Sequence, residues 1–174
     1  MEKQRIIKIA LCGEGGVGKT SLARVFIGEG FRSDENITIG VYHFSTTLRL
    51  SDGREIKLVI NDLGGEHRFA FLAPIFLRGV KGCVFVYDVT REETFARLPN
   101  WLRIVKKTLG DVPRVLVGNK IDVSELRIVP EDIAREFAER EGFLAYFETS
   151  AKEGVNVRKP FLFLVEHLTG GGVG

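Results

Sequence analysis

Residues Gly13 to Thr20 read GEGGVGKT, a Gly-x-x-x-x-Gly-Lys-Thr spacing. Such a pattern can grip a polyphosphate. Glycines let the backbone curl until several N–H groups face one anion. A helix that begins there adds its partial positive charge. Lys19 reaches the terminal phosphates as a point charge, and the Thr20 hydroxyl is a hard oxygen ligand for Mg²⁺. The preceding run RIIKIALC is apolar and strand-like, and GKTSLARVFIGEG has helical spacing that stops at glycine. The motif therefore sits in the strand–loop–helix context it requires.

A phosphate grip does not choose a base. Asn119 to Asp122, NKID, close the apolar run VPRVLVG at a strand's C-terminal end, where open α/β sheets bind ligands. Guanine presents two neighbouring donors, N1–H and the 2-amino group, and the Asp122 carboxylate can accept both. Adenine has an acceptor at N1 and no 2-amino group, so the same carboxylate repels it and disfavours an ATP-dependent phosphotransferase. ETSAK, residues 148–152, ends the next strand. Its Ala151 N–H can donate to the guanine 6-oxo group, and the Lys120 stem can lie over the purine plane.

The elements that must position these residues alternate along the chain. GVYHFSTTLRL and REIKLVIN flank SDG, a hairpin signal. RFAFLAPIFLRG reads as a helix made irregular by Pro74, and REETFARLPNWLRIVKKTLG as a helix disturbed at Pro99. GCVFVYDV and VPRVLVGNK are buried strands, PEDIAREFAEREG is a helix, FLAYFETS the last strand and NVRKPFLFLVEHL the last helix. Phe161, Phe163, Leu164 and Leu168 are assigned to the buried face of that helix. Strands alternating with helices, several of them continuous Val/Ile/Leu runs, specify a mostly parallel sheet covered on both faces. The second strand must run antiparallel at the edge, because a three-residue turn cannot make a parallel crossover.

Composition bounds the partners. The 174 residues suit one domain, and 25 basic against 23 acidic residues leave a net charge of +2, which gives no argument for nucleic acid. The longest run without a charge or His, Phe69 to Leu77, falls far short of the roughly 20 residues of a membrane span. No secretory signal opens the chain, and a cytoplasmic location is expected. Cys12 and Cys83 lie in apolar runs and read as buried thiols of a reducing compartment. His43, His67 and His167 have no metal spacing.

In order and spacing, these motifs resemble the small GTPases of the Ras superfamily, the Rab branch most closely. LRGVKGCVFVYDVT, the NWL around Trp101, LVGNKID and FETSAKEGVNV carry the likeness, which runs from Arg5 to about Leu168. The resemblance implies a P-loop NTPase of the Ras-like G-domain type: α/β, with a six-stranded mostly parallel sheet, an antiparallel edge strand and five helices. It implies a single G domain over residues 1–174, with a P-loop at 13–20, switch I at about 31–41, switch II at about 62–76 and guanine loops at 119–122 and 149–152. It implies GTP contacts from Glu14, Gly15, Gly16, Val17, Gly18, Lys19, Thr20 and Ser21. Phe31 falls beside the guanine, and Asn119, Lys120, Asp122, Ser150, Ala151 and Lys152 around it. Mg²⁺ would be held by Thr20 and Thr38, and by Asp62 through water. Thr38 and the Gly65 N–H would sense the γ-phosphate, and the catalytic set would be Lys19, Thr38, Gly65 and the residue after Gly65. The family's partners are guanine nucleotide, effectors, exchange factors and activating proteins, bound through residues around 35–44 and 63–76.

The departures carry information. Family members usually place Gln after Asp-x-x-Gly to orient the attacking water; in DLGGEHRF that residue is Glu66. A carboxylate can accept from water but cannot donate to the transition-state oxygens. Its charge beside a triphosphate must be screened or neutralised. Two readings stay open: a switch with slow hydrolysis, and a GTP/GDP-binding module with little or none. Glu35 stands where relatives often have Tyr closing over the phosphates, and Asn61 where Rab members often have Trp, which is expected to change effector choice. The end HLTGGGVG has no C-terminal cysteine, so prenylation has no acceptor and no membrane anchor is expected in this chain. With the low Gln count, this is compatible with a prokaryotic or archaeal relative.

Overall fold

The computed structural model describes residues 4–33, 40–65 and 67–174. Glu35, Thr38 and Glu66 lie outside the described residues.

β1 (Arg5–Cys12) is an apolar run whose alternate side chains serve two layers. Ile7, Ile9 and Leu11 enter one core cluster and Ala10 and Cys12 the other. A strand buried on both faces has no use for polar alternation, which is why the run reads as continuous. β4 (Gly82–Asp88) and β5 (Arg114–Asn119) are buried along their whole length for the same reason. β2 (Val41–Arg49) and β3 (Glu55–Leu63) pair antiparallel across the Ser51–Gly53 turn, with Gly53 at φ 88°. β6 (Tyr146–Thr149) closes the far edge. The sheet order is β2-β3-β1-β4-β5-β6, with every pairing but β2–β3 parallel. The order reverses at β1, so a crevice opens at the C-terminal ends of β1 and β4.

α1 (Lys19–Ile27) and α6 (Arg158–Thr169) cover one face, where Phe26 stacks on Phe161 at 4.4 Å. The irregular second helix is a 3₁₀ segment, His67–Leu72, followed by one α-helical turn, α2 (Ala73–Phe76). The third is divided. α3 (Glu92–Ala96) ends at Arg97, and α4 (Leu98–Leu109) begins with Pro99 in its first turn, where a missing N–H costs nothing. The disturbance expected at Pro99 thus falls two residues upstream, and the described residues hold six α-helical segments. α5 (Glu131–Arg140) starts after Pro130 with Glu131 and Asp132 in its first turn.

One expectation is corrected. Phe161 and Leu164 are fully buried, but Phe163 is 38% exposed and rests edge-on against Phe147. The buried stripe of α6 runs through positions 161, 164 and 165, with Leu168 partly buried against the same core, and position 163 lies two residues, about 200° of helix rotation, from 161. Both cysteines are buried thiols. A hydrogen bond that the Cys83 thiol donates to Cys12, then burial, pushes that thiol well above its ordinary value.

Candidate functional site

Between the end of β1 and the start of α1 the chain loops around a cavity of about 330 Å³. Gly18 caps α1 at φ 101°, and a Cβ there would overlap the Asn119 side-chain amide, so both conformation and space require glycine. Gly65 packs its backbone directly on the Glu14–Gly15 peptide, with no room for a Cβ.

The cavity floor is cationic. Lys19 is 6% exposed, and its Nζ donates to the carbonyls of Gly13 (3.0 Å) and Glu14 (2.8 Å). Burial pulls the ammonium below its ordinary pKa, opposed first by the nearby Asp62 carboxylate. Beside it the Thr20 hydroxyl donates to Asp62 Oδ2. Two hard oxygens therefore meet at the first turn of α1, as Mg²⁺ held by phosphates, water and one carboxylate requires. Among the described residues no group of three or more His, Cys, Asp or Glu could hold a metal by itself.

The far wall belongs to β5, β6 and the segments after them. Lys120 adopts φ 73°, and its ammonium bonds both the Gly16 carbonyl (2.7 Å) and Asp88 Oδ2 (3.0 Å). Anchored at backbone and head, its stem lines the cavity. Asp122 lines it too, one carboxylate oxygen accepting from Ser150 Oγ at 2.8 Å. Ala151 and Lys152 face the same space, with Phe31, 41% exposed, at its rim.

Most of the residues named from sequence thus converge: Gly15, Gly16, Gly18 to Ser21, Phe31, Gly65, Asn119, Lys120, Asp122, Ala151 and Lys152 line one space. Four stand behind the lining, among them Asp62, which accepts from the Thr20 hydroxyl. The Val17 side chain is core, Ser150 buttresses Asp122, and the Glu14 carboxylate accepts from the Trp101 indole at 2.9 Å. The Ala151 N–H is directed to Asn119 Oδ1 at 3.3 Å. Arg32 and Ser33 also line the cavity, and Arg91 braces the loop from outside. Only their position beside Phe31 or after β4 could have drawn attention to them.

The lining brings the Lys19 ammonium and the Asp122 carboxylate into one space. The Ras family model matches residues 8–170. The chain is 42% identical over 160 residues to human Ras-related protein Rab-30, covering 91% of this chain and 78% of that protein. It is 37% identical over 166 residues to the Ypt/Rab-type GTPase ypt7 of Schizosaccharomyces pombe, covering 92% and 80%. It is 38% identical over 157 residues to Ras-related protein YPTC6 of Chlamydomonas reinhardtii, covering 90% and 72%. The chain belongs to the Ras family, near its Rab-type members.

Proposed function

We propose that this chain binds GTP and GDP in the cavity at the strand ends and hydrolyses GTP slowly. Family membership makes it a GTP-binding switch protein and a GTPase. The observation that carries the finer reading is that Asp122 and Lys19 line one and the same cavity.

In this reading the N–H groups of residues 14–21 hold the phosphates, with Lys19 on the terminal ones. Asp122 accepts the two guanine donors, and Ser150 keeps its carboxylate aimed. Lys120 lies over the purine, with Phe31 at its edge. The Ala151 N–H exchanges its long bond to Asn119 for the guanine 6-oxo group, while Lys152 closes that side. Thr20 and Thr38, with Asp62 through water, would hold Mg²⁺, which would supply positive charge to offset that of the phosphates. Gly65 and Thr38 sense the third phosphate. Its loss frees the segments at about 31–41 and 62–76, through which effectors and exchange factors read the state. We place the whole chain in one G domain. Among the described residues no helix is long and apolar enough to cross a membrane.

Glu66 orients water as an acceptor but gives nothing to the developing charge, which is the basis for slow turnover. Two measurements test the proposal. ATP should fail to displace labelled GTP, and equal competition overturns the base assignment. Single-turnover phosphate release should exceed the uncatalysed rate and accelerate in Glu66→Gln. Release at the uncatalysed rate from the wild type would leave a binding module instead.

A further inference from the structure

Each main-chain carbonyl from Gly13 to Val17 accepts a hydrogen bond from a side chain. Lys19 serves Gly13 and Glu14, Lys120 serves Gly16, and Asn119 Nδ2 serves Val17 at 2.9 Å. The sequence motifs mark all three of those side chains. The Gly15 carbonyl is served by Arg91, which no motif marks: Nη1 donates to it at 3.2 Å. Arg91 sits between β4 and α3. Its backbone N–H is tied to the Asp88 carbonyl (3.0 Å), and its Nε donates to Glu93 Oε1 at 2.9 Å, so the guanidinium is aimed from two sides. Its Nη1 would lie 3.2 Å from a Cβ built at Gly16, so the guanidinium abuts that residue too.

The Gly15 carbonyl and the Gly16 N–H belong to one peptide group. No cis bond occurs among the described residues, so that N–H points opposite to the carbonyl, away from Arg91 and toward the cavity that Gly16 lines. A charge-assisted bond to the oxygen polarises the group and strengthens the N–H as a donor. The Gly65 backbone packs on the neighbouring Glu14–Gly15 peptide, so Gly15 lies beside the Asp62–Gly65 segment.

We propose that Arg91 is a positioning residue for the terminal phosphate: it fixes and polarises the Gly15–Gly16 peptide so that the loop grips a triphosphate better than a diphosphate. The proposal rests on the nucleotide reading above. The chain thereby supplies, from the segment after β4, a guanidinium that acts on the phosphate through the backbone.

The test uses the full chain with Arg91→Ala and Arg91→Lys. Calorimetry gives the affinities for GDP and a non-hydrolysable GTP analogue, and single-turnover phosphate release gives the rate. In Arg91→Ala the analogue should weaken about tenfold and GDP by less than about threefold, the scale of one charge-assisted hydrogen bond. Phosphate release should slow in parallel. Arg91→Lys keeps a cation without the planar fork and should recover part of both losses, and it carries the test if the alanine variant does not fold. An unchanged ratio of the two affinities overturns the proposal, whether both are retained or both fall equally, since a general brace would weaken them together. Failure of the wild type to bind either nucleotide would overturn the reading of the cavity instead.

Discussion

The side-chain amide of Asn119 donates to the Val17 carbonyl at 2.9 Å, across 102 residues of sequence. Its oxygen accepts from the Thr149 hydroxyl at 2.9 Å and from the Ala151 N–H. One buried side chain thus ties the loop after β1 to the end of β6 and the segment that follows it. Asn119→Asp keeps the acceptor and destroys the donor, setting a carboxylate against the Val17 carbonyl. Loss of about 1–3 kcal/mol of unfolding free energy is expected, the cost of leaving a buried partner unsatisfied. Bound GDP should leave faster as well. Denaturant unfolding and stopped-flow release of a fluorescent GDP check both, and an unchanged release rate would show that the tie does not hold the two walls together.

Asp122 accepts from Ser150 through one oxygen and leaves the rest of its acceptor capacity to the cavity. In Asp122→Asn the amide can turn a donor toward the base, where guanine also has donors. GTP affinity should fall by roughly two to three powers of ten, because groups built to pair are left opposed. A purine with an oxo group at position 2 should gain. Titration of the variant with xanthosine triphosphate measures the gain, and equal losses for both bases would contradict the assigned contact.

Asn61 is buried at 2% exposure at the cross-strand position opposite His43. Its Nδ2 donates to the Phe76 carbonyl at 3.1 Å, so its Oδ1 receives the His43 Nδ1–H at 2.6 Å, which fixes the imidazole tautomer. A polar residue where Rab relatives often carry Trp therefore pins α2 to the edge hairpin. Asn61→Ala should cost about 1–3 kcal/mol, and the cycle with His43→Ala should show a coupling of about 0.5–1.5 kcal/mol. Hydrogen exchange should rise at α2 in Asn61→Ala. A zero coupling energy would mean that the two side chains act independently.

How far the sequence reaches is visible in these same residues. The antiparallel β2 follows from a turn too short for a crossover, and the break before α4 from Pro99, because both are local chain constraints. Most residues lining the cavity are legible because they belong to short motifs with one chemical purpose, whereas Arg32 and Ser33 belong to none. Phe163 was misplaced because an apolar residue beside an apolar stripe looks the same in composition and differs only in angle. Arg91, Trp101 and the Asn61–His43 pair were not read as parts of the site. Their partners lie in other elements, and only the tertiary fold brings a guanidinium to Gly15 or an indole to Glu14.

Between β4, β5 and β6 the Tyr87 and Tyr146 hydroxyls meet at 2.6 Å, Tyr146 donates to Glu148 at 2.6 Å, and the Arg127 fork grips both Glu148 oxygens at 2.7 and 2.8 Å. Gly118 leaves the space for the two phenols, since a Cβ there would lie 2.7 Å from one hydroxyl and 2.9 Å from the other. Burial alone would raise the Glu148 pKa, but the Arg127 and Tyr146 hydrogen bonds outweigh it and hold the carboxyl below its ordinary value. A carboxyl depressed on folding stabilises the native state fully above its unfolded pKa, about 4.3 for glutamate, and loses that contribution as pH falls through the lower folded value. The urea midpoint should therefore drop below about pH 4.5 more steeply in the wild type than in Glu148→Gln, which carries no titrating group there. Parallel curves for the two proteins across pH 3 to 6 would remove Glu148 as a source of acid sensitivity. A separate loss of guanine affinity in Arg127→Ala at neutral pH would show that the same clamp positions the segment bearing Asp122.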